Sequence, residues 1–175
     1  MLAGLKRHPI PIQAFFDYSL VLAYAFPEKI LLPLLPPGLV LDAYEGLGFV
    51  AIALVQTRGL RPVGVPALLG RDFFLSGYRI FVRYERPNGQ VLRGLRILRS
   101  DTDSRLMAFA GNRLTHYNYR HCLLETQISP SRLRFSIRTP NGEADLDVEA
   151  ALGVEPQAPP SGSPFPDWPA ARRFA

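Results

Sequence analysis

The segment Leu47–Val55, LGFVAIALV, carries apolar side chains on both of its alternating faces, and this limits the folds open to the 175-residue chain. A strand of this kind has to be covered on both sides, so it belongs inside a sheet with material above and below it. What precedes it suits that position. Pro27 opens a short helix, since a first-turn residue has no helical N–H bond to lose, and Ile30, Leu31 and Leu34 fall on one side. Pro36-Pro37-Gly38 then stops the helix, because the second proline restricts its predecessor and glycine accepts a left-handed turn. Leu39–Tyr44 reads as a strand and Glu45-Gly46 as a tight turn into Leu47.

The rest of the chain is dominated by hairpins. Phe15–Ala25 has β-forming residues on both faces and is expected to be a strand. Gly59–Gly70 mixes prolines and glycines without a period, which predicts a long loop. Beyond it Tyr78, Ile80, Val82 and Tyr84 alternate with Arg79, Phe81 and Arg83, and Asn88-Gly89 supplies a strong hairpin signal. The return strand Gln90–Arg99 puts Leu92, Gly94, Arg96 and Leu98 on one face. Asp101-Thr102-Asp103-Ser104 reads as a cluster of capping residues ahead of a helix over Leu106–Arg113. Tyr117–Ile128 returns to strand character. Arg132–Arg138 alternates with Leu133, Phe135 and Ile137 inward, and Pro140-Asn141-Gly142 turns the chain into Glu143–Val148. After Gly153 the sequence is proline-rich, with a helix starting at Asp167. The expected architecture is mainly β: an antiparallel β-barrel or two-layer sheet over residues 1–153, with two or three short helices. Residues 154–175 are expected to form an extension packed on its surface.

Composition narrows the chemistry. Of 20 Lys+Arg only Lys6 and Lys29 are lysines, so a reaction that needs an amine has two candidates. Arginine keeps its charge and binds carboxylates bidentately, whereas lysine can shed its proton. Cys122 stands alone, which excludes an intrachain disulfide; with no signal-peptide pattern in MLAGLKRHPIPI, this predicts a cytoplasmic protein. No apolar run approaches the roughly 20 residues of a membrane span. The motifs GxxxxGK[ST], GxGxxG, CxxC and HExxH are all missing from the sequence. The histidines are His8, His116 and His121, and the last two point to opposite faces of a strand, so no metal and no cofactor are expected. Arg132, Arg134 and Arg138 make a basic strand face without a nucleic-acid motif, so no nucleic-acid partner is expected despite a net charge of +5.

The candidate site residues come from two places. Arg79, Arg93, Arg96 and Arg99 could recognise an anion, and one of the four, Arg96, is expected to be internal because its strand face is otherwise apolar. A buried arginine demands a carboxylate or a ligand. His116, Tyr117 and Tyr119 gather polar and aromatic groups where the helix feeds a strand, which suits a small-ligand pocket. His116 is either an acid–base group or a histidine bonded to a backbone carbonyl at a helix end. Asp101 and Asp103 resemble a carboxylate pair, but capping accounts for them.

Leu35-Pro36-Pro37-Gly38-Leu39, Asp42, Glu45-Gly46 and the apolar strand that follows resemble the uncharacterised YqjF-like proteins of the acetoacetate decarboxylase superfamily. Tyr78–Arg83, Ser104-Arg105 and Leu114-Thr115-His116-Tyr117 extend the likeness, which runs from Phe15 to Val148. Relatives continue past the proline-rich stretch with a further helix and strand. The resemblance implies a cone-shaped, mainly antiparallel barrel with a central small-molecule pocket. It does not bring the decarboxylase chemistry with it. The Pro-Lys-Lys run that carries the Schiff-base lysine falls on Leu114–His116, the enzyme's arginine on Ala25, and its glutamate on Leu75. The expectation is a binder of a small organic molecule, acidic or oxo-containing, or an enzyme that uses no lysine Schiff base. Arg79 and Arg96 would hold the anionic group, with His116, Tyr117 and Tyr119 beside them. The alternative is an interaction protein with a filled barrel and an arginine-rich surface for an acidic partner. An exposed sheet edge would allow a homo-oligomer.

Overall fold

The computed structural model describes residues 11–174; Lys6 and His8 lie outside them. The fold is mainly β. Strand β1 (Ile12–Pro27) leads through the short helix α1 (Glu28–Leu31) and a 3-10 turn at Leu32–Leu34 to β2 (Val40–Leu41) and β3 (Leu47–Pro62). Then come β4 (Arg71–Glu85), β5 (Val91–Thr102), α2 (Arg105–Leu114) and β6 (Tyr119–His121). The chain continues with β7 (Leu123–Ser129), β8 (Arg132–Arg138), β9 (Leu146–Ala151) and α3 (Trp168–Phe174). One sheet has the order β1-β3-β4-β5-β6 with β2 against β4, and the other is β7-β8-β9. The two make a barrel-like body without closing through a continuous hydrogen-bonded ladder. No helix among the described residues is long and apolar enough to cross a membrane.

The apolar strand of the sequence is an interior strand of the large sheet, between β1 and β4. In β3 four consecutive residues, Ala51 to Leu54, are buried, so both faces are covered as its pattern requires. The even-numbered residues Ile52 and Leu54 meet Phe74 and, from the small sheet, Leu133, Phe135 and Ile137. Leu54, Phe74, Phe135 and Ile137 are fully enclosed, which makes the space between the sheets a packed core. A second cluster of Leu31, Leu41, Ile80 and Val82 continues the same face beneath α1.

Several elements differ from expectation. β3 and β4 run further than the sequence suggests, so the loop expected over Gly59–Gly70 is confined to residues 63–70 and carries a 3-10 turn at Ala67–Leu69. Gly70 permits this: a Cβ there would stand 2.8 Å from Gly59 Cα. The strand expected over Tyr117–Ile128 is two strands, and the first of them, β6, pairs in parallel with β5. Asn118, with φ of 53°, turns the chain into β6. The acidic cluster before α2 does not act as a cap. Ser104 is the N-cap residue, accepting from Met107 N at 3.2 Å, while Asp103 accepts from Phe74 N at 2.8 Å.

Candidate functional site

The large sheet has a second face, opposite the core, on which the odd-numbered residues of β3 and β4 lie. Register aligns Ala23, Ala51, Arg79 and Ile97 in one row, with Ala25, Phe49 and Phe81 on one side of it and Ala53 and Gly77 on the other. The side chains around this arginine are small, and Ala51, Ala53 and Gly77 are buried. Arg79 folds back over Gly77, where a Cβ would stand 3.2 Å from the guanidinium. Among the described residues no carboxylate lies within ion-pair distance of Arg79.

Tyr119 is buried on this same face, since Ser100, which pairs with it, also pairs with Gly77. Helix α2 holds it by two devices. Gly111 offers no side chain to the ring, and a Cβ there would stand 2.4 Å from Tyr119 Cδ2. The Asn112 carboxamide bridges the tyrosine's backbone, accepting from its N–H at 2.7 Å and donating to its carbonyl at 2.7 Å. The side chain thus supplies what a neighbouring strand would have supplied. Burial pushes the Tyr119 phenol well above its ordinary range; Tyr117 adds to this and the charge of Arg79 opposes it. Tyr117 packs edge-on against Tyr119 with ring centroids 5.7 Å apart.

Beside this group lies a cleft of about 650 Å³ lined by Val21–Ala25, Phe49, Phe81 and the C-terminal extension. Phe165 stacks on Phe49 at 5.5 Å between centroids, and Phe174 approaches Phe49 at 4.8 Å and Phe81 at 6.2 Å. One relay of charge holds the end of α3. Arg93 donates to the half-exposed end carbonyl of Phe174, stands over its ring at 5.3 Å, and pairs with Asp42. Arg83 approaches the same carboxylate at 3.5 Å without hydrogen-bond geometry and donates to Leu41 O at 3.3 Å. The arginines around the cleft therefore differ: Arg83 and Arg93 share Asp42, and Arg79 does not.

The expected residues come together only in part. Arg79, Tyr117 and Tyr119 gather on one face, while His116 is exposed on the connection between α2 and β6. Arg96 is not internal, as its strand face had suggested; it is exposed, on the core side of β5 opposite Ile80. The internal arginine is Arg99. A register shift between Tyr78 and Arg79 makes Leu98 an extra residue in β5, so Arg99 and Asp101 take the core face instead of the opposite one. Arg99 Nε donates to both Asp101 oxygens at 2.7 and 2.9 Å, and its Nη1 donates to Glu143 at 3.1 Å. Burial raises the Asp101 carboxyl, against the hydrogen bond and charge of Arg99. The close spacing of Arg99 and Asp101 on a strand is the available signal, and the capping reading of Asp101 passes over it. Phe165, Phe174 and the Asp42–Arg93 relay left no motif at all, because they meet across more than fifty residues of chain.

The sequence matches the family DUF2071, described as an uncharacterized conserved protein (COG2071), over residues 15–174. The chain belongs to that family. No curated protein matches it. Among solved structures it is similar to the acetoacetate decarboxylase of Legionella pneumophila, at 19% identity and a TM-score of 0.56, covering 84% of this chain and 50% of that one. It is also similar to the enduracididine biosynthesis enzyme MppR complexed with the condensation product of pyruvate and imidazole 4-carboxaldehyde. That match has 13% identity and a TM-score of 0.61, covering 87% and 60% of the two chains. MppR complexed with pyruvate matches at 14% identity, with a TM-score of 0.59 and coverage of 87% and 61%. The structural similarity, with TM-scores of 0.56 to 0.61, establishes the acetoacetate decarboxylase-like fold. The chain spans half to about 61% of the lengths of these proteins.

Proposed function

We propose that the face carrying Arg79 binds a small organic acid, with an oxo acid of the pyruvate class as the first candidate. The observation that carries this reading is an arginine set among Ala51, Ala53 and Gly77, beside Tyr119, with no carboxylate in ion-pair range among the described residues. A guanidinium in such surroundings favours an anionic partner, and its planar fork suits a carboxylate. Tyr119 and Tyr117 flank the anion, and the aromatic cleft of Phe49 and Phe81 accepts an apolar remainder. His116, exposed next to Tyr117 in the chain, is the acid–base group this reading offers. MppR binds pyruvate in the structure that this chain resembles, which supports the choice of ligand class. A Schiff base of the decarboxylase type is not part of the proposal. Lys29 sits exposed on α1, and the positions of the resemblance are filled by Ala25, Leu75 and Leu114–His116. In this reading residues 1–153 are the barrel domain and 154–175 the cover of its cleft.

The competing reading is an interaction protein that meets an acidic partner through arginine-rich strands. It is weakened by β9, which sets Glu149 at 3.1 Å from Arg132 and Asp147 at 2.9 Å from Arg138. The two readings separate in a thermal-shift titration with pyruvate and other small oxo acids on wild type and Arg79→Leu. A shift in wild type that is lost in Arg79→Leu supports the binding site. A shift equal in both proteins removes Arg79 from it.

A further inference from the structure

The cleft beside Arg79 is far larger than a three-carbon acid needs. Its volume of about 650 Å³ is that of a site for a drug-sized ligand. Its walls are specialised as well. Tyr24, Phe49 and Phe81 of the sheet line it together with Phe165, Trp168 and Phe174 of the C-terminal extension. No charged side chain among the described residues lines it. The Trp168 indole N–H donates to Pro156 O at 2.8 Å, so its polar edge is satisfied inside the extension and its ring offers apolar surface. The extension is braced by hydrogen bonds of its own, Ser163 N to Pro160 O at 3.0 Å and Phe165 N to Ser163 Oγ at 3.2 Å. Arg93 ties its end to Asp42 of the barrel. The aromatic wall is therefore in place before a ligand arrives, which reduces the ordering cost of binding.

The position of Arg79 sets the shape of a molecule that uses both regions. Arg79 shares its face with Phe81, two residues along β4, but its guanidinium folds over Gly77 on the far side. From Gly77 to Phe81 is four residues of strand, about 13 Å. A molecule that reaches from one to the other is elongated, with its charge at one end and its apolar body at the other. Aromatic walls favour a flat aromatic body, through stacked and edge-on contacts.

We propose that the ligand of this site is an elongated aryl-bearing organic acid, with its ring in the aromatic cleft and its carboxylate at Arg79. The carboxylate rests on the Arg79 reading above; the ring is assigned by the cleft alone. The C-terminal extension then sets specificity, since Phe165, Trp168 and Phe174 all belong to it.

The test compares three probes on the full chain by titration calorimetry: benzylpyruvate, pyruvate and the uncharged benzylacetone. Trp168 is the single tryptophan of the chain, so its emission reports occupation of the cleft. Benzylpyruvate is expected to bind wild type at least about tenfold more tightly than pyruvate, through burial of its ring. It should also change the Trp168 emission, where pyruvate does not. Ala23→Phe puts a ring into the cleft from an exposed position, and Phe165→Ala removes one wall outside both core clusters. Each should lower the preference for benzylpyruvate below about threefold, and the second variant stands in if the first loses its circular dichroism signature. Equal affinities for benzylpyruvate and pyruvate overturn the aromatic assignment, and so does a preference unchanged in the folded variants; pyruvate binding that is lost in Arg79→Leu would still uphold the Arg79 site. Benzylacetone that binds as tightly as benzylpyruvate overturns the acid, and the Arg79 reading with it, and leaves the aromatic cleft standing. No response to any of the three probes overturns both.

Discussion

The large sheet has two faces built from the same strands, and they are finished differently. On the core face Leu54, Phe74 and Ile80 are fully buried, and the internal arginine there, Arg99, is matched by Asp101 and Glu143. On the opposite face the strands carry Ala51, Ala53 and Gly77, and Arg79 among them has no carboxylate in range among the described residues. The first face satisfies its charge from within; on the second Arg79 meets no such carboxylate among the described residues. Residue type alone does not separate them, because each has an arginine on an otherwise apolar strand. The difference lies in what stands opposite.

The comparison is broken most severely by removing the internal partner. Asp101→Ala leaves Arg99, whose side chain is 12% exposed, without its bidentate carboxylate. Loss of one member of such a buried pair costs about 3–5 kcal/mol. Urea unfolding should register that loss, and a loss below about 1 kcal/mol would show the pair to be solvated, as surface pairs are. Gly111→Ala comes next. Its methyl would meet the Tyr119 ring at 2.4 Å, and overpacking of this kind costs about 1–3 kcal/mol. The same unfolding experiment reads it, and the change in Tyr119 position should weaken any oxo-acid response as well.

A pH series sharpens the contrast from the core side. Burial pushes the Cys122 thiol up to about 12 from an ordinary 9.0, with Asp101 and Asp103 adding to the effect. The folded thiol holds its proton where the unfolded one has lost it. The stabilisation is therefore complete below 9.0 and disappears as the pH rises to about 12. Unfolding free energies measured between these limits should fall with pH in wild type and fall less in Cys122→Ala. Equal slopes would mean that the thiol is not protected.

Much of this fold could be read from the sequence because its signals are local. The alternation of Leu133, Phe135 and Ile137, the Asn88-Gly89 turn and the two-sided apolar run of β3 each state their structure within a few residues. The strand placement of Arg79 was legible for the same reason, since Tyr78 to Arg83 alternate without interruption and all lie in β4. Arg96 takes the face its alternation predicts but is exposed there. Arg99 was missed as the internal arginine because one inserted residue at Leu98 changes the face of everything after it, and nothing in QVLRGLRILR marks the insertion. Phe165, Phe174 and Asp42 were out of reach because their partners are defined only by the folded chain.

The smallest effect on stability belongs to the residue on which the proposed site rests. Arg79→Leu removes no ion pair among the described residues, so its unfolding free energy should stay within about 0.5 kcal/mol of wild type. Its ligand response is the most direct test of the Arg79 site. A small oxo acid at about 100 times its Kd should stabilise wild type by about 2.7 kcal/mol. For a domain of this size that is a rise in Tm on the order of 5–10 °C. The rise should vanish in Arg79→Leu and persist in Arg96→Leu, whose side chain is exposed on the other face. A rise that survives in Arg79→Leu, or one lost in Arg96→Leu alone, would contradict the assignment of the site to this face of the sheet.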